Sequence, residues 1–115
     1  MRSDRERLMD IAESIDNIKK YLSRGHDAFY QDELLQTWVV RNLQIAGEAA
    51  NRISTDTRNK YKFMPWEKMI GMRHILVHGY FEIDLDVVWS VLENDLAELD
   101  AGIQKTIKDF FQSEG

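Results

Sequence analysis

The chain has 115 residues, of which 43% are hydrophobic, contains no cysteine and carries a formal net charge of −5. This length predicts one domain, residues 1–115, that buries a core without covalent cross-links; the lack of cysteine excludes disulfides and thiolate metal sites and fits a cytoplasmic protein. No apolar run approaches the roughly 20 residues that cross a bilayer, and the acidic balance weighs against nucleic-acid binding through a broadly basic surface.

The first predicted element is an amphipathic helix that begins near Ser3. Ser3 and Glu6 have the spacing of a capping box, in which each side chain accepts a hydrogen bond from the backbone of the other residue. Apolar residues then recur every three or four positions, which is the pattern of a helix with one buried face. Gly25 is a plausible stop signal, and residues 27–31 are interpreted as a loop that leads to the next element.

A second helix is predicted over residues 32–53, with Asp32 as the N-cap. It is broadly apolar, which predicts burial against several neighbours. Gly47 lies in its interior at a cost of about 1 kcal/mol relative to alanine, which close approach of another helix would explain. Asn42 and Glu48 place polar groups on or beside the apolar surface, where they need partners. Arg73 is the candidate partner of Glu48, either in a structural ion pair or in an arrangement that orients a functional group.

Two further helices are predicted in the second half of the chain. Residues 54–64 form a polar connection that could hold one short helical turn, and Pro65 suits the first position of a third helix of about 14 residues. Asp84 is predicted to cap a last helix of about 27 residues, which would be near 40 Å long. Four helices with short connections predict an all-α fold, an antiparallel four-helix bundle with up-down topology.

Side chains capable of chemistry are concentrated in residues 71–81. Arg73 offers a planar fork of donors that suits phosphate oxygens. His78 can exchange a proton near neutral pH, because an unperturbed histidine has a pKa of about 6.5. Tyr80 carries a phenol that can donate or accept a hydrogen bond or be modified. RNA cleavage without metal needs such groups, since one must deprotonate the 2′-hydroxyl, one must protonate the leaving oxygen and a cation must stabilise the charge on phosphorus.

Helical geometry separates two of these side chains. Arg73 and His78 are five residues apart and diverge by roughly 140° on a helix, so one helix brings them together poorly. His74 and His78 are four residues apart and would share a face. Gly79 predicts that the third helix ends near His78. A second copy of the chain could therefore complete the site.

The motif formed by Arg73, four residues, His78, one residue and Tyr80 resembles that of the HepT-like proteins of the HEPN superfamily. Pro65-Trp66 opens the helix that carries the motif, and residues 43–49 (LQIAGEA) are similar to the signature of the family's second helix. The resemblance covers nearly the whole chain. It implies a HEPN-like helical fold.

The resemblance also implies a function. HepT-like proteins are toxins of prokaryotic toxin–antitoxin pairs, and the partner antitoxin is a minimal nucleotidyltransferase, MntA. The family cleaves RNA without metal or cofactor, at a cleft that two protomers of a homodimer share. Arg73 and His78 would carry out catalysis, and Tyr80 would position RNA or be adenylylated by the antitoxin. Supporting roles at this site are expected for three further residues: Asn42, Glu48 and His74.

Two other classes of function remain open at this point. A non-catalytic module could use the same residues to bind a nucleotide, RNA or a partner protein, which the acidic balance favours slightly. A metal enzyme would use His74 and His78 as a helical metal pair, with Glu82 and Asp84 nearby. Two histidines without further ligands fall short of a zinc site, which weighs against the metal enzyme.

Positive charge is concentrated just before the motif helix. Residues 1–62 carry nearly equal numbers of basic and acidic side chains, whereas residues 63–115 are strongly acidic. Any RNA contact would therefore be local and would draw on Arg73 and a basic cluster just before the motif helix. That cluster is either a solvated turn or part of an RNA-binding surface, and it consists of Arg52, Arg58, Lys60 and Lys62.

Overall fold

A computed structural model describes residues 2–75 and 84–114, apart from the side chains of His74 and Ile75. These two ranges contain α-helices and no β-strand, so the predicted all-α fold is confirmed. No helix within them is long and apolar enough to cross a membrane. In chain order the helices are α1 (Asp4–Leu22), α2 (Gly25–Gln31), α3 (Glu33–Arg52), α4 (Thr55–Lys60), α5 (Trp66–Ile75), α6 (Leu85–Asn94) and α7 (Leu96–Glu114).

Three predicted helix starts are confirmed by side-chain caps. The Ser3 hydroxyl accepts a hydrogen bond from the Glu6 N–H at 3.2 Å, and the Glu6 carboxylate accepts one from the Ser3 N–H at 3.1 Å, which completes the capping box of α1. Asp32 and Asp84 each accept a hydrogen bond from the backbone N–H three residues further on, at 3.2 Å. Each such cap stabilises its helix by about 1 kcal/mol.

The loop predicted over residues 27–31 is wrong, because these residues belong to the short helix α2. Gly25, its first residue, has a φ of 88°, in the left-handed region that favours glycine, and it separates α2 from α1. A helix of 7 residues is too short to show periodicity in the sequence. Tertiary packing holds it instead, since Phe29 is buried and its ring lies 5.6 Å from the ring of Trp89 on α6.

The single long helix predicted at the end of the chain is also wrong. A turn at Asp95 separates α6 from α7, and the Asp95 carboxylate accepts a hydrogen bond from Lys68 of α5 at 2.8 Å. The predicted end of the third helix near His78 lies outside the described residues, which follow α5 as far as Ile75. The four main elements keep their predicted order, and α4 is the short helical segment that residues 54–64 were expected to allow. The differences are the additional helix α2 and the division of the last element into two parts.

The core lies between α1, α3 and the helices that pack on them. α1 packs along α3 and against α7, α3 also packs against α2 and α5, and α6 packs against α7. Each large aliphatic side chain buried there stabilises the fold by roughly 1.5–3 kcal/mol relative to an exposed one. Buried residues of this core include Leu8, Ile11, Ile15, Val39, Leu43, Ala50, Met69, Val88 and Ile103. α3 is therefore the element against which α5 and its arginine are positioned.

Two sets of hydrogen bonds fix the corner that leads into α5. Asp4 of α1 accepts a hydrogen bond from the Ser54 N–H at 3.0 Å and from the hydroxyls of Ser54 and Thr57, both at 2.6 Å. Partial burial would raise the pKa of Asp4, but these hydrogen bonds outweigh it and lower the pKa below its ordinary value. Tyr61 donates to Asp109 of α7 at 2.7 Å, and burial together with this bond raises the pKa of Tyr61 to about 12. α4 and the turn after it are thus tied to both α1 and α7.

Candidate functional site

Arg73 lies on the side of α5 that packs against α3, opposite Gly47. A β-carbon at Gly47 would fall 2.9 Å from the Cγ of Arg73 and 2.9 Å from the carbonyl oxygen of Met69. Both distances are shorter than an ordinary van der Waals contact, so the approach of the two helices requires glycine at this position. The close approach that an interior glycine predicted is therefore confirmed.

The Arg73 side chain extends from this contact to Glu48. Its Nη1 donates a hydrogen bond to the Oε1 of Glu48 at 3.1 Å, and its Nε donates one of 3.4 Å to the carbonyl oxygen of Ile70. The Arg73 side chain is 24% exposed and that of Glu48 is 52% exposed, so the ion pair lies where the core meets solvent. Glu48 is also 3.7 Å from the guanidinium of Arg52, one turn further along α3. The predicted pairing of Arg73 with Glu48 is present.

This arrangement leaves the guanidinium able to bind an anion. A guanidinium has five N–H groups, and among the described residues only Nε and Nη1 of Arg73 donate to protein atoms. Because Glu48 is half-exposed and lies between two arginines, solvent screening keeps the ion pair weak, on the order of 0–1 kcal/mol. The guanidinium therefore keeps N–H groups that no described residue uses, while Glu48 holds its side chain in one orientation.

Asn42 belongs to a different part of the fold. It is buried, donates from its Nδ2 to the carbonyl oxygen of Trp38 at 2.9 Å, and accepts a hydrogen bond from Asn17 of α1 at 3.1 Å. None of its hydrogen bonds to described residues reaches Arg73 or Glu48. The structure therefore gives Asn42 a role in joining α3 to α1, and it does not bring this residue together with the arginine.

The remaining predicted site residues are only partly described. His78 and Tyr80 lie outside the described residues, as does Glu82 of the metal-enzyme alternative. The backbone of His74 belongs to α5, directly after Arg73, but its side chain is not among those that the structure describes. Among the described side chains, no three from histidine, cysteine, aspartate and glutamate lie close enough together to hold a metal ion. Of the predicted catalytic residues, the structure thus locates Arg73.

The basic cluster predicted from the sequence is divided in the structure. Arg52, the last residue of α3, lies 3.7 Å from Glu48 of the same helix, and Lys60 donates to a serine hydroxyl of α7 at 3.2 Å. Arg58 and Lys62 instead line a groove of about 790 Å³ between α4 and the beginning of α5. Folding brings the start of α5 beside α4, so the groove is also lined by polar side chains that the sequence did not single out, among them Thr55, Asn59 and Lys68.

An exposed stripe on α3 leads to Glu48. It consists of Leu34, Trp38, Arg41 and Ile45, which are spaced by three or four residues and therefore lie along one face of the helix. Leu34 is 82% exposed, and Trp38 and Ile45 are 40% and 36% exposed. The broad apolar surface predicted to be buried is therefore partly open to solvent in this chain. Large apolar side chains grouped on a surface mark places where other proteins bind.

Proteins named as ribonucleases are similar to this chain. A Thermococcus cleftensis protein named "Probable ribonuclease HepT" is 34% identical over 108 residues, which cover 93% of this chain and 98% of that protein. A Methanocaldococcus jannaschii protein, named as a gamma-glutamylcyclotransferase and candidate RNase, is 35% identical over 103 residues. That match covers 89% of this chain and 46% of the relative, so this chain spans about half the length of that protein.

The fold is similar to that of a solved structure, the tri-AMPylated Shewanella oneidensis HEPN toxin in complex with MNT antitoxin. The two chains superpose with a TM-score of 0.64 at 28% sequence identity, over 95% of this chain and 99% of that chain. A family model described as "Ribonuclease HepT-like" matches residues 11–106, a range that includes Glu48 and Arg73. The chain therefore belongs to the ribonuclease HepT-like family, as the motif in its sequence predicted.

Proposed function

We propose that this chain is the ribonuclease toxin of a prokaryotic toxin–antitoxin pair and that residues 1–115 act as one HEPN-like domain. The observation that carries the proposal is the placement of Arg73 on a HepT-like fold. Gly47 gives its side chain room, and Glu48 orients its guanidinium where a phosphate can reach it. RNA is the proposed substrate because the family and its named relatives are ribonucleases.

The proposed reaction uses the neighbouring 2′-hydroxyl of the RNA as the nucleophile. His78 of one copy removes the proton from this hydroxyl, the 2′-oxygen attacks phosphorus, and the bond between phosphorus and the 5′-oxygen breaks. His78 of a second copy protonates the leaving 5′-oxygen. Arg73 stabilises the additional negative charge on phosphorus. This route requires no metal, and DNA cannot follow it because DNA lacks the 2′-hydroxyl.

The proposed site is completed by a second copy of the chain. Arg73 and His78 diverge by roughly 140° if the helix continues between them, so a single copy presents them in different directions. The exposed stripe on α3 ends beside Glu48, and Trp38 within it is a residue type that is enriched at protein interfaces. A homodimer whose two-fold axis passes near the Ile45 end of this stripe would bring the Arg73–Glu48 pairs of both copies close to one cleft.

Silencing is proposed to occur by adenylylation of Tyr80. The structurally similar HEPN toxin carries AMP groups and is in complex with an MNT antitoxin, which is the reason to propose a minimal nucleotidyltransferase as the partner here. The partner would transfer AMP from ATP to the phenol oxygen of Tyr80 and release pyrophosphate, and the phenol would lose its proton. The added phosphate would place negative charge where the site needs to attract an RNA phosphate.

The test is cleavage of total RNA by the purified chain in the presence of EDTA. We expect the native chain to cleave RNA and a His78→Ala chain, shown to be folded by circular dichroism, to be inactive. Equal cleavage by both chains would contradict the role of His78, and loss of cleavage in EDTA that added metal restores would contradict metal independence. The intact mass of the same sample reports silencing, because each adenylyl group adds about 329 Da and should be absent from Tyr80→Phe.

A second candidate function is a non-catalytic binding module. The net charge of −5 favours it, because an acidic protein attracts RNA weakly outside local basic surfaces. In that case Arg73→Ala should weaken binding of a nucleotide, RNA or partner protein, while no RNA cleavage appears under any condition. Cleavage by the native chain that disappears in His78→Ala would exclude this alternative.

A further inference from the structure

We propose that the groove between α4 and the start of α5 binds the sugar–phosphate backbone of the RNA beside the cleaved bond. The inference rests on the proposed ribonuclease function and adds a substrate-binding surface to it. The groove is lined by Arg58 and Lys62 from the α4 side and by Lys68 from α5, with a volume of about 790 Å³. Glu67 is the acidic side chain in its lining, so positive charge predominates there.

Two of these cations are available to a ligand. Within the described residues, Arg58 and Lys62 form no side-chain hydrogen bond and no ion pair, whereas Lys68 donates to Asp95 at 2.8 Å. The hydrogen bond to Asp95 raises the pKa of Lys68, which keeps this ammonium charged. In a chain whose overall charge is −5, a groove that presents two cations with no acidic partner among the described side chains attracts an anion locally.

The neutral side chains in the groove suit the same ligand. Thr55 and Asn59 are four residues apart, so they lie on one face of α4, and both line the groove. Hydroxyl and amide groups donate hydrogen bonds to phosphate and sugar oxygens without requiring a particular base. Trp66 also lines the groove but is 7% exposed, so it offers little ring surface for a base to stack on. The groove therefore predicts contacts to the RNA backbone that are independent of sequence.

The frame of the groove is fixed before RNA binds. The indole Nε1 of Trp66 donates to the carbonyl oxygen of Tyr61 at 3.0 Å, and this hydrogen bond is buried. Met64 packs against Gly102 of α7, where a β-carbon would overlap its sulfur. Thr57 holds α4 through its hydrogen bond to Asp4 of α1. A surface that needs no ordering on binding loses less affinity to conformational entropy.

One helix connects the groove with the candidate catalytic arginine. α5 begins in the groove with Trp66 and reaches Arg73 seven residues later, which corresponds to about 10 Å along the helix axis. A short run of nucleotides covers this distance. RNA whose backbone lies in the groove can therefore present a nearby phosphate to Arg73, and the groove would raise affinity without taking part in bond cleavage.

The test measures binding of RNA separately from cleavage. A fluorescein-labelled single-stranded oligouridylate of about 20 nucleotides is titrated with the His78→Ala chain in EDTA at several salt concentrations. The groove variant adds Arg58→Gln and Lys62→Gln. The matched control adds Lys20→Gln in the last turn of α1 and Arg24→Gln just beyond it, which remove the same charge far from Asp4 and α4. Arg24 lies 3.6 Å from the carboxylate of Asp32, so thermal unfolding is also compared between the chains. Circular dichroism confirms the fold of each chain.

The groove variant is expected to bind the oligonucleotide about tenfold more weakly at low salt, while the control changes little. Two lost phosphate contacts should also reduce the slope of log K against log salt by about 1.4, since each contact to a single strand contributes about 0.7. In the chains that retain His78, the groove substitutions should lower kcat/KM through an increase in KM, with kcat changing less.

Three results would overturn the proposal, and they can be told apart. If groove and control variants bind RNA alike and the native chain cleaves RNA, the groove assignment is wrong and the ribonuclease function stands. If no chain binds or cleaves RNA, the groove assignment and the proposed ribonuclease function are both wrong. If the groove variant loses affinity for the antitoxin and keeps its affinity for RNA, the groove is a protein interface instead.

Discussion

Gly47 of α3 and Arg73 of α5 are in contact through the space that a side chain at position 47 would occupy. The carbonyl oxygen of Met69 lies equally close, so the restriction applies to the backbone of α5 as well as to the arginine side chain. A flexible side chain can move aside at low cost, whereas a helix backbone can do so only by shifting as a whole. Position 47 therefore sets both the distance between the two helices and the location of the guanidinium.

Replacing Gly47 with alanine is expected to displace Arg73 and reduce RNA cleavage. Alanine is favoured over glycine within a helix by about 1 kcal/mol, but overpacking costs about 1–3 kcal/mol, so stability should fall by up to about 2 kcal/mol. Cleavage should fall further than stability explains, by about tenfold or more in kcat/KM, because a misplacement near 1 Å can cost 100-fold. Thermal unfolding and cleavage kinetics on the same preparation measure the two effects.

Gly71→Ala is the matched control, since it makes the same chemical change within α5. No described atom lies within 4 Å of a β-carbon at Gly71, so helix propensity acts alone there. We expect a stabilisation of about 0.5–1 kcal/mol and cleavage within about twofold of the native chain. A Gly47→Ala chain that cleaves RNA as well as this control would contradict the role of the contact with Arg73.

Glu48 is expected to position Arg73 without touching RNA. Glu48→Ala removes the 3.1 Å contact and should lower kcat/KM about fivefold to tenfold, while stability changes by less than about 1 kcal/mol because the pair is partly exposed. Glu48→Gln keeps an oxygen acceptor for the guanidinium and should recover most of the cleavage. Arg52→Ala removes the other neighbour of Glu48 and serves as the control. Full activity of the alanine variant would exclude Glu48 from the site.

Asn42→Ala should separate stability from catalysis. The substitution leaves the side-chain amide of Asn17 without its described acceptor in a part-buried position, which costs about 1–3 kcal/mol. Urea denaturation should show this loss as a lower midpoint. Cleavage per folded molecule, measured well below the unfolding midpoint, should stay close to that of the native chain. A large loss of activity in fully folded molecules would instead show that Asn42 supports the site of RNA cleavage.

The contribution of Asp4 to stability should depend on pH. Hydrogen bonds from Ser54 and Thr57 lower the pKa of Asp4 below its ordinary value, so the stabilisation is fully present above that ordinary value and is lost as pH falls through the lowered pKa. Asp4→Asn should therefore cost about 1 kcal/mol at pH 7 and progressively less as the solution becomes acidic. Urea denaturation of both chains between pH 7 and pH 3 measures the difference. A constant difference across this range would contradict the assignment.

Local signals in the sequence were sufficient for several features of the fold. The caps at Ser3, Asp32 and Asp84 depend on residues three positions apart, so they can be read without knowing the tertiary structure. The pairing of Glu48 with Arg73 was also predictable, because a charged group beside an apolar surface requires a partner and few candidates were present. Gly47 predicted a close approach for the same kind of reason, since an interior glycine is costly without one.

Features that depend on contacts between distant segments were not predictable. α2 is held by the packing of Phe29 against α6, and its sequence is too short for a periodic signal. The turn at Asp95 interrupts a helix whose apolar spacing continues without a break, so the hydrophobic pattern conceals it. The hydrogen-bond partners of Asn42 could not be predicted either. A buried amide needs a partner, but the sequence does not show whether that partner lies on α1 or on α5. The basic groove combines side chains from two elements whose relative position only the fold defines.

Two glycines on neighbouring helices receive side chains from α5 and from the segment that leads into it. Met64, two residues before α5 begins, fills the space over Gly102 of α7. Arg73, near the end of the described part of α5, fills the space over Gly47 of α3. A slide of one helical turn, about 5.4 Å, would force a side chain out of each of these spaces at the same time. These two contacts therefore fix the position of α5 along its axis and prevent its rotation, because either movement would require both side chains to leave their places together.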